Sequence, residues 1–326
     1  MATGNSNYLN DVAFSTELVI GRDFNNVWLR EAALLAMIQE GKKNWNKGSA
    51  FSGSAQTGYK MLIPVALADM TTPANGVTDA NEFTAISPHG TAQGAFTQAE
   101  YIVAHYRGSM SNKRHEMVLI NNQRGNFQQA KVNQLMGSFT NAIADDMAST
   151  AADARDAILG VQQVLATSNT VGGIAQGTDT DWAANVTTSA GAFSLDLLDD
   201  GIDTAAPRGG NIDLIALAYS STNNLFGKLR AQIAPAQRIV NGDFKAKYGF
   251  VNIDYLGATC ISDNRLTAGV ICGFDTSTWF YRGDTKPKLS HTGPIQGTDA
   301  VEWVYYMFAA LGCNHPGRNF RLTGVS

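Results

Sequence analysis

The sequence predicts an α+β protein, and three observations carry that reading. A long stretch with helical spacing, from about 122 to 147, separates alternating, turn-rich segments from a second half in which helices and strands interleave. Hydrophobic residues make up 44% of the 326-residue chain, enough for a sizeable core. Charged residues make up only 16%, against the roughly 25% usual in soluble domains. A polar but weakly charged surface of this kind suits extensive contact with other protein. The net charge of −4, with no basic block, excludes a general electrostatic grip on phosphates.

The first 22 residues are polar without a sustained period and read as an arm. From Phe24 to Glu40, the positions Trp28, Ala32, Leu35 and Ile38 recur at helical spacing, and Gly41 with Lys42 and Lys43 supplies the stop. Residues 48 to 98 change character. Tyr59, Met61, Ile63, Val65 and Leu67 alternate, a turn-rich tip lies near Pro73 to Gly76, and a second extended piece, EFTAISPHG, comes next. A strand from Glu100 to Gly108 follows. Two strands alone bury little apolar surface, and ten extended residues reach about 33 Å. The excursion therefore needs cover, and a second copy of the chain is the economical source. Its expected contact residues are Met61, Ile63, Val65, Met70, Pro73, Asn75, Gly76 and Phe83.

Val132, Leu135, Met136, Phe139, Ile143 and Met147 form one stripe of a long amphipathic helix, about 37 Å if 25 residues are regular. A second helix is expected over 151–166, capped by Ser149 or Thr150. Further on, Leu195, Leu198, Ile202 and Ala205 mark a helix with Ser194 as its cap, ended by Pro207, Gly209 and Gly210. IDLIALAY reads as a buried strand, SSTNNLFGKLRAQ as a capped helix, and GFVNIDYLGATCIS, GVICGF, STWFYRG and VEWVYYMFAAL as strands before RNFRLTGV.

Catalytic patterns fail on spacing. Gly48, Ser49 and Ser52 do not form a nucleophile elbow. Gly227 and Lys228 are followed by Leu229, with Thr222 where a phosphate loop needs its first glycine; His115 and Glu116 meet Leu119 where a zinc-protease motif needs histidine. Cys313 and His315 supply half a tetrahedral site at most, and Cys260, Cys272 and Cys313 read as buried thiols. His89 and His291 fall in turns and His105 in a strand. Asp199, Asp200 and Asp203 read as a solvated acidic turn near a helix start, and the five tryptophans as core or interface anchors. No cofactor, metal or catalytic group is expected. Nor is a signal peptide or membrane span.

One stretch resists a chemical reading: NTVGGIAQGTDTDW, from Asn169 to Trp182, offers amides, hydroxyls and two aspartates but no nucleophile or base. Gly172 and Gly173 permit backbone conformations that other residues resist, and Trp182 can lock an exit strand by burying its ring. With Ile174 and the DLIAL run from Asp213 to Leu217, this order resembles the major capsid proteins of tailed double-stranded DNA bacteriophages, which have the Hong Kong ninety-seven-type fold. The resemblance is specific across 110–240 and topological elsewhere.

What the resemblance implies is an N-arm and helix at 1–47, an extended β-hairpin loop at 48–98, and a peripheral domain with a long spine helix at 99–195 and 318–326. Residues 196–317 would form the axial domain, and Gly172, Gly173 and Trp182 a structural hinge after the spine. It implies hexamers and pentamers in an icosahedral virion capsid, assembled in the host cytoplasm around genomic DNA that is not read by sequence. A scaffolding segment found before the arm in some relatives is not expected here, so assembly would use a separate scaffold or none; portal and decoration proteins are further expected partners. An encapsulin-like nanocompartment shell is the nearest alternative. A hydrolase with an unrecognised site and a carbohydrate-binding virion protein stand further off.

Overall fold

The computed structural model describes residues 33–35, 46–48, 56–57, 59–68, 95–113, 127–233, 253–284, 288–295 and 298–326. After a helical fragment at 33–35 come strands β1 (Asn46–Gly48), β2 (Gln56–Thr57), β3 (Lys60–Ala68), β4 (Ala95–Ile102) and β5 (Ala104–Lys113). Helices α1 (Phe127–Ala148) and α2 (Val161–Val164) precede the short strands β6 (Thr170–Val171), β7 (Ile174–Ala175) and β8 (Asn185–Thr187). The remainder runs α3 (Leu195–Ala205), β9 (Leu214–Ala218), α4 (Leu225–Gln232), β10 (Ile253–Tyr255), β11 (Ala258–Asp263) and β12 (Ile271–Phe274). It ends with β13 (Trp279–Gly283), β14 (Lys288–Pro294), β15 (Ala300–Cys313) and β16 (Phe320–Leu322).

Two sheets organise the chain. The first is built on β15, whose 14 residues pair antiparallel with β5 along one edge and with β14 and β13 in succession along the other. Asp284 bridges the gap between those two, donating its N–H to the Phe308 carbonyl at 2.9 Å and accepting the Phe308 N–H through Oδ2 at 3.2 Å. Helix α1, about 33 Å long over 22 residues, packs on this sheet through Phe139, Ile143 and Met147. Gly108 of β5 makes the approach possible, since a Cβ there would sit 2.7 Å from Leu135 Cδ1 and 3.1 Å from Phe139 Cζ.

The second sheet has the order β10-β11-β9-β12-β16-β8. Its centre is β9, the LIALA run, buried at every position between parallel β11 and antiparallel β12. A continuous apolar run is what a strand covered on both faces requires. Over it lies α3, capped by Ser194, whose Oγ accepts the Leu197 N–H at 3.2 Å. Gly201 sets Phe320 of β16 against the helix, where an added Cβ would come within 2.8 Å of the ring. Asn224 caps α4 in the same way, accepting the Gly227 N–H at 2.8 Å.

The structure corrects two expectations. The second helix shrinks to the four residues of α2, because 151–160 spends its backbone on β4, β5 and its own turn. Asp153 Oδ2 accepts the Ile102 N–H at 2.6 Å, the Arg155 carbonyl accepts the His105 N–H at 2.6 Å, and Gly160 bonds back to Ala151 at 3.0 Å. In the first sheet β15 pairs with β5, and β13 and β14 pair with β15, whereas β8 and β16 belong to the sheet of β9. Finally, His291 stands on β14 and not in a turn. Within the first expected helix, Ala33, Leu34 and Leu35 are helical and no more than 1% exposed; Trp28, Ala32 and Ile38 lie outside the described residues.

Candidate assembly surfaces

Strands β3 and β4 form an antiparallel hairpin, and the pleat sorts their residues to two faces. Met61 opposite Tyr101 and Ile63 opposite Ala99 face inward, with Met61 and Ile63 at 5% exposure and Tyr101 and Ala99 at 0%. Val65, at 8%, completes that face. Its receiving surface belongs to the same chain. The Tyr101 hydroxyl donates to the Cys313 carbonyl, and Gly312 leaves room, since a Cβ there would meet Tyr101 at 2.6 Å and Met61 Cε at 2.8 Å. Met61, Ile63 and Val65, expected from the sequence at a subunit contact, are thus buried by packing within the single chain.

The opposite face is what the hairpin offers outward. Pro64, Ala66, Gln98 and Glu100 are exposed, and Leu62 and Leu67 are half-buried. Lys60 pairs with Glu100 on this side, and Tyr59, 61% exposed, lies under the Arg155 guanidinium at 5.2 Å. Met70, Pro73, Asn75, Gly76 and Phe83 lie outside the described residues.

The glycine pair forms the turn of a small hairpin between β6 and β7, with φ of +61° at Gly172 and +80° at Gly173. Two consecutive left-handed residues are the geometry of a two-residue hairpin turn. This turn docks on the larger hairpin: the Glu100 N–H donates to the Gly172 carbonyl at 2.9 Å, and a Cβ on Gly172 would stand 2.8 Å from that of Ala99. Trp182, 2% exposed, closes the loop from the other side. Gln176 ties the same loop to α2 through a bond from Nε2 to the Val164 carbonyl at 2.8 Å.

Two polar nodes join the layers, and neither has a local sequence signal. Arg265 reaches from the end of β11 to helix α1, donating to the Asn141 carbonyl at 3.1 Å and Oδ1 at 2.7 Å, and pairing with Asp145. Beside it, buried Asp263 accepts the N–H groups of Arg265 at 2.9 Å and of Leu34 at 3.3 Å, so the first helical fragment is held to the second sheet. The second node is Asn319, fully buried. Its Oδ1 accepts from Trp279 Nε1 at 3.0 Å and the Asp275 N–H at 2.9 Å, while Nδ2 donates to the His315 carbonyl at 3.1 Å.

The remaining candidates are dispersed. Cys260, Cys272 and Cys313 are buried thiols outside any disulfide, and burial pushes the thiols of Cys272 and Cys313 up to about 12. His105 stacks on Phe308 with centroids 4.7 Å apart. Burial, then Arg318 and Arg208, holds the His315 imidazole below its ordinary range. Among the described residues no group of three or more His, Cys, Asp or Glu gathers as metal ligands, and no helix is long and apolar enough to cross a membrane. His89, His115 and Glu116 lie outside the described residues.

What this arrangement offers is faces and edges, and the comparisons agree. No family model and no curated protein matches the chain. Its fold, however, is similar to solved shell subunits along nearly the whole length. A chain of the cyanophage A-1(L) capsid asymmetric unit is 13% identical, with 93% of this chain and 95% of that one covered at a TM-score of 0.69. A chain of the native GTA particle capsid is 15% identical, with 93% of each covered at 0.62. The SrpI encapsulin of Synechococcus elongatus is 11% identical, with 95% of each covered at 0.58. The architecture is thus that of shell-forming subunits. More particularly, it is the tailed-phage capsid fold, with the mixed α and β content expected from the sequence.

Proposed function

We propose that the chain is the major capsid protein of a tailed bacteriophage, a structural subunit that self-associates into hexamers and pentamers of an icosahedral head around double-stranded DNA. The observation that carries this reading is the likeness in fold over 93% of the chain to a phage capsid subunit, reached at only 13% identity. Conservation of shape at that divergence fits a molecule whose job is shape. The extended loop at 48–98 would present its outer face to a neighbour, and the described part of that face, around Pro64 and Ala66, is exposed in the single chain. Contacts that are individually modest become a durable lattice through multivalency. An acidic net charge suits a wall that must hold DNA without gripping it. A separate scaffold, a portal and decoration proteins are the further partners this reading implies.

Electron microscopy of the purified chain tests the proposal. Closed shells built of rings are the expected result, and a monodisperse monomer up to millimolar concentration would overturn it. The match to the encapsulin favours a second reading, a nanocompartment. Particles from the native source separate the two. Nuclease-resistant double-stranded DNA supports the phage head, and a packaged enzyme without DNA supports the compartment.

A further inference from the structure

The turn joining β10 to β11 places Leu256 at φ +47° and Gly257 at φ +84°. Asn, Asp and Gly normally fill such a turn, because a larger side chain resists positive φ. Leu256 gains no burial in exchange, being 72% exposed, more than Tyr59, Leu289 or Tyr219. Nor is the tip loose. The Tyr255 hydroxyl donates to Asp199 Oδ1 of α3 at 2.7 Å, and Thr259 Oγ1 bonds Asp254 Oδ1 at 3.0 Å across the hairpin. A strained, exposed and braced apolar side chain has the properties of a preorganised anchor.

A place for it exists on the same chain. Helix α3 turns Leu198, Gly201 and Ala205 into the core and Asp199 toward the hairpin. Its other flank carries Leu197, Asp200, Asp203 and Thr204, which with Leu322 and Pro207 line an open recess of about 690 Å³ beside the edge strand β8. The recess has apolar walls, an acidic rim and room for a leucine. Tip and recess lie at β10 and β8, the two opposite edges of one six-stranded sheet.

We infer that Leu256 of one copy seats in the recess of the next copy. A projection and a complementary hollow on different sides of one molecule make a heterologous contact, which closes into a ring when the rotation permits. This inference rests on the shell reading and adds to it the side chain that sets the contact between ring neighbours.

The test compares wild type with Leu256→Gly and Leu256→Asn, both of which fit the turn better than leucine. The isolated subunits should melt at or above the wild-type temperature, while the concentration needed for assembly rises at least about tenfold. In a second arm, Leu256→Cys combined with Thr204→Cys should give a ladder of oxidised oligomers, with little background because the native thiols are buried. If wild type forms shells and Leu256→Gly assembles at the same concentration, the inference is overturned while the shell reading stands. Shells of the Leu256→Cys, Thr204→Cys double variant that form without a cross-link between positions 256 and 204 on oxidation overturn it equally. If wild type forms no oligomer at all, it is the shell reading that fails.

Discussion

The indole N–H of Trp182 donates to the main-chain carbonyl of Val171 at 3.1 Å, tying the exit of the loop to the strand just before its glycine turn. With the ring 2% exposed, packing and hydrogen bond act on the same few residues. Trp182→Phe keeps most of the ring and takes the indole donor from the carbonyl, for an expected loss of about 1–2 kcal/mol. Trp182→Ala adds a cavity and should cost about 3–5 kcal/mol. Urea titration of the two variants measures the difference.

Gly172 and Gly173 share a conformation but not a neighbourhood. A Cβ on Gly173 meets nothing within 4 Å, whereas one on Gly172 meets Ala99 at 2.8 Å and Tyr101 at 3.1 Å. Gly173→Ala should cost about 1–2 kcal/mol of backbone strain alone. Gly172→Ala should cost about 2–4 kcal/mol, because the docked hairpin must also move. Equal losses would contradict the close contact between the two hairpins.

Asn319→Leu keeps the branching at Cγ, with bulkier methyl groups in place of the amide, and leaves Trp279 Nε1 and the Asp275 N–H without this acceptor. The expected cost is about 2–5 kcal/mol. Adding Trp279→Phe removes one of the stranded donors, so the double variant should lose less than the two single losses combined. A double-mutant cycle followed by thermal melting reads that coupling directly.

Burial holds the carboxyl groups of Asp263, Asp153 and Asp146 above the ordinary carboxylate value of 3.8, even though Asp263 accepts two main-chain N–H groups. Between that value and the raised one, the native chain binds more protons than the unfolded chain, so these groups make stability fall as pH rises. Their contribution is full below the ordinary value and is lost through the native one. Asp263→Asn removes one such group, at a constant offset for the altered hydrogen bonds. Its melting temperature should therefore gain on wild type as pH rises from about 3.5 to 6. A gap that stays constant with pH would refute the assignment.

Much of the fold was legible wherever the signal was local. The apolar stripe of α1, the caps Ser194 and Asn224, the buried run of β9 and the paired glycines each announce a structure within a few residues. The errors fall where tertiary contacts decide. Residues 151–160 have helical composition, yet their carbonyls and the Asp153 carboxylate are drawn to the edge of β5 and β4. Alternation at Met61, Ile63 and Val65 identified a face correctly but could not say that Gly312 and Tyr101 of the same chain cover it. The sheet order was not legible, because β15 finds β5, and β16 finds β12, across distances no period encodes. Arg265 and Asn319 carry no pattern at all, and the Leu256–Gly257 pair lay inside GFVNIDYLGATCIS, expected as one strand, which its turn splits into β10 and β11.

The position of β16 between β12 and β8 has a consequence for synthesis on the ribosome. Residues 185–187 emerge well before 320–322, so β8 has no parallel partner and Leu322 no place in the hollow until those later residues have left the ribosome. On the seating of Leu256 inferred above, a nascent chain would display its leucine tip with nowhere to receive another, so polymerisation would wait until β16 has joined its sheet.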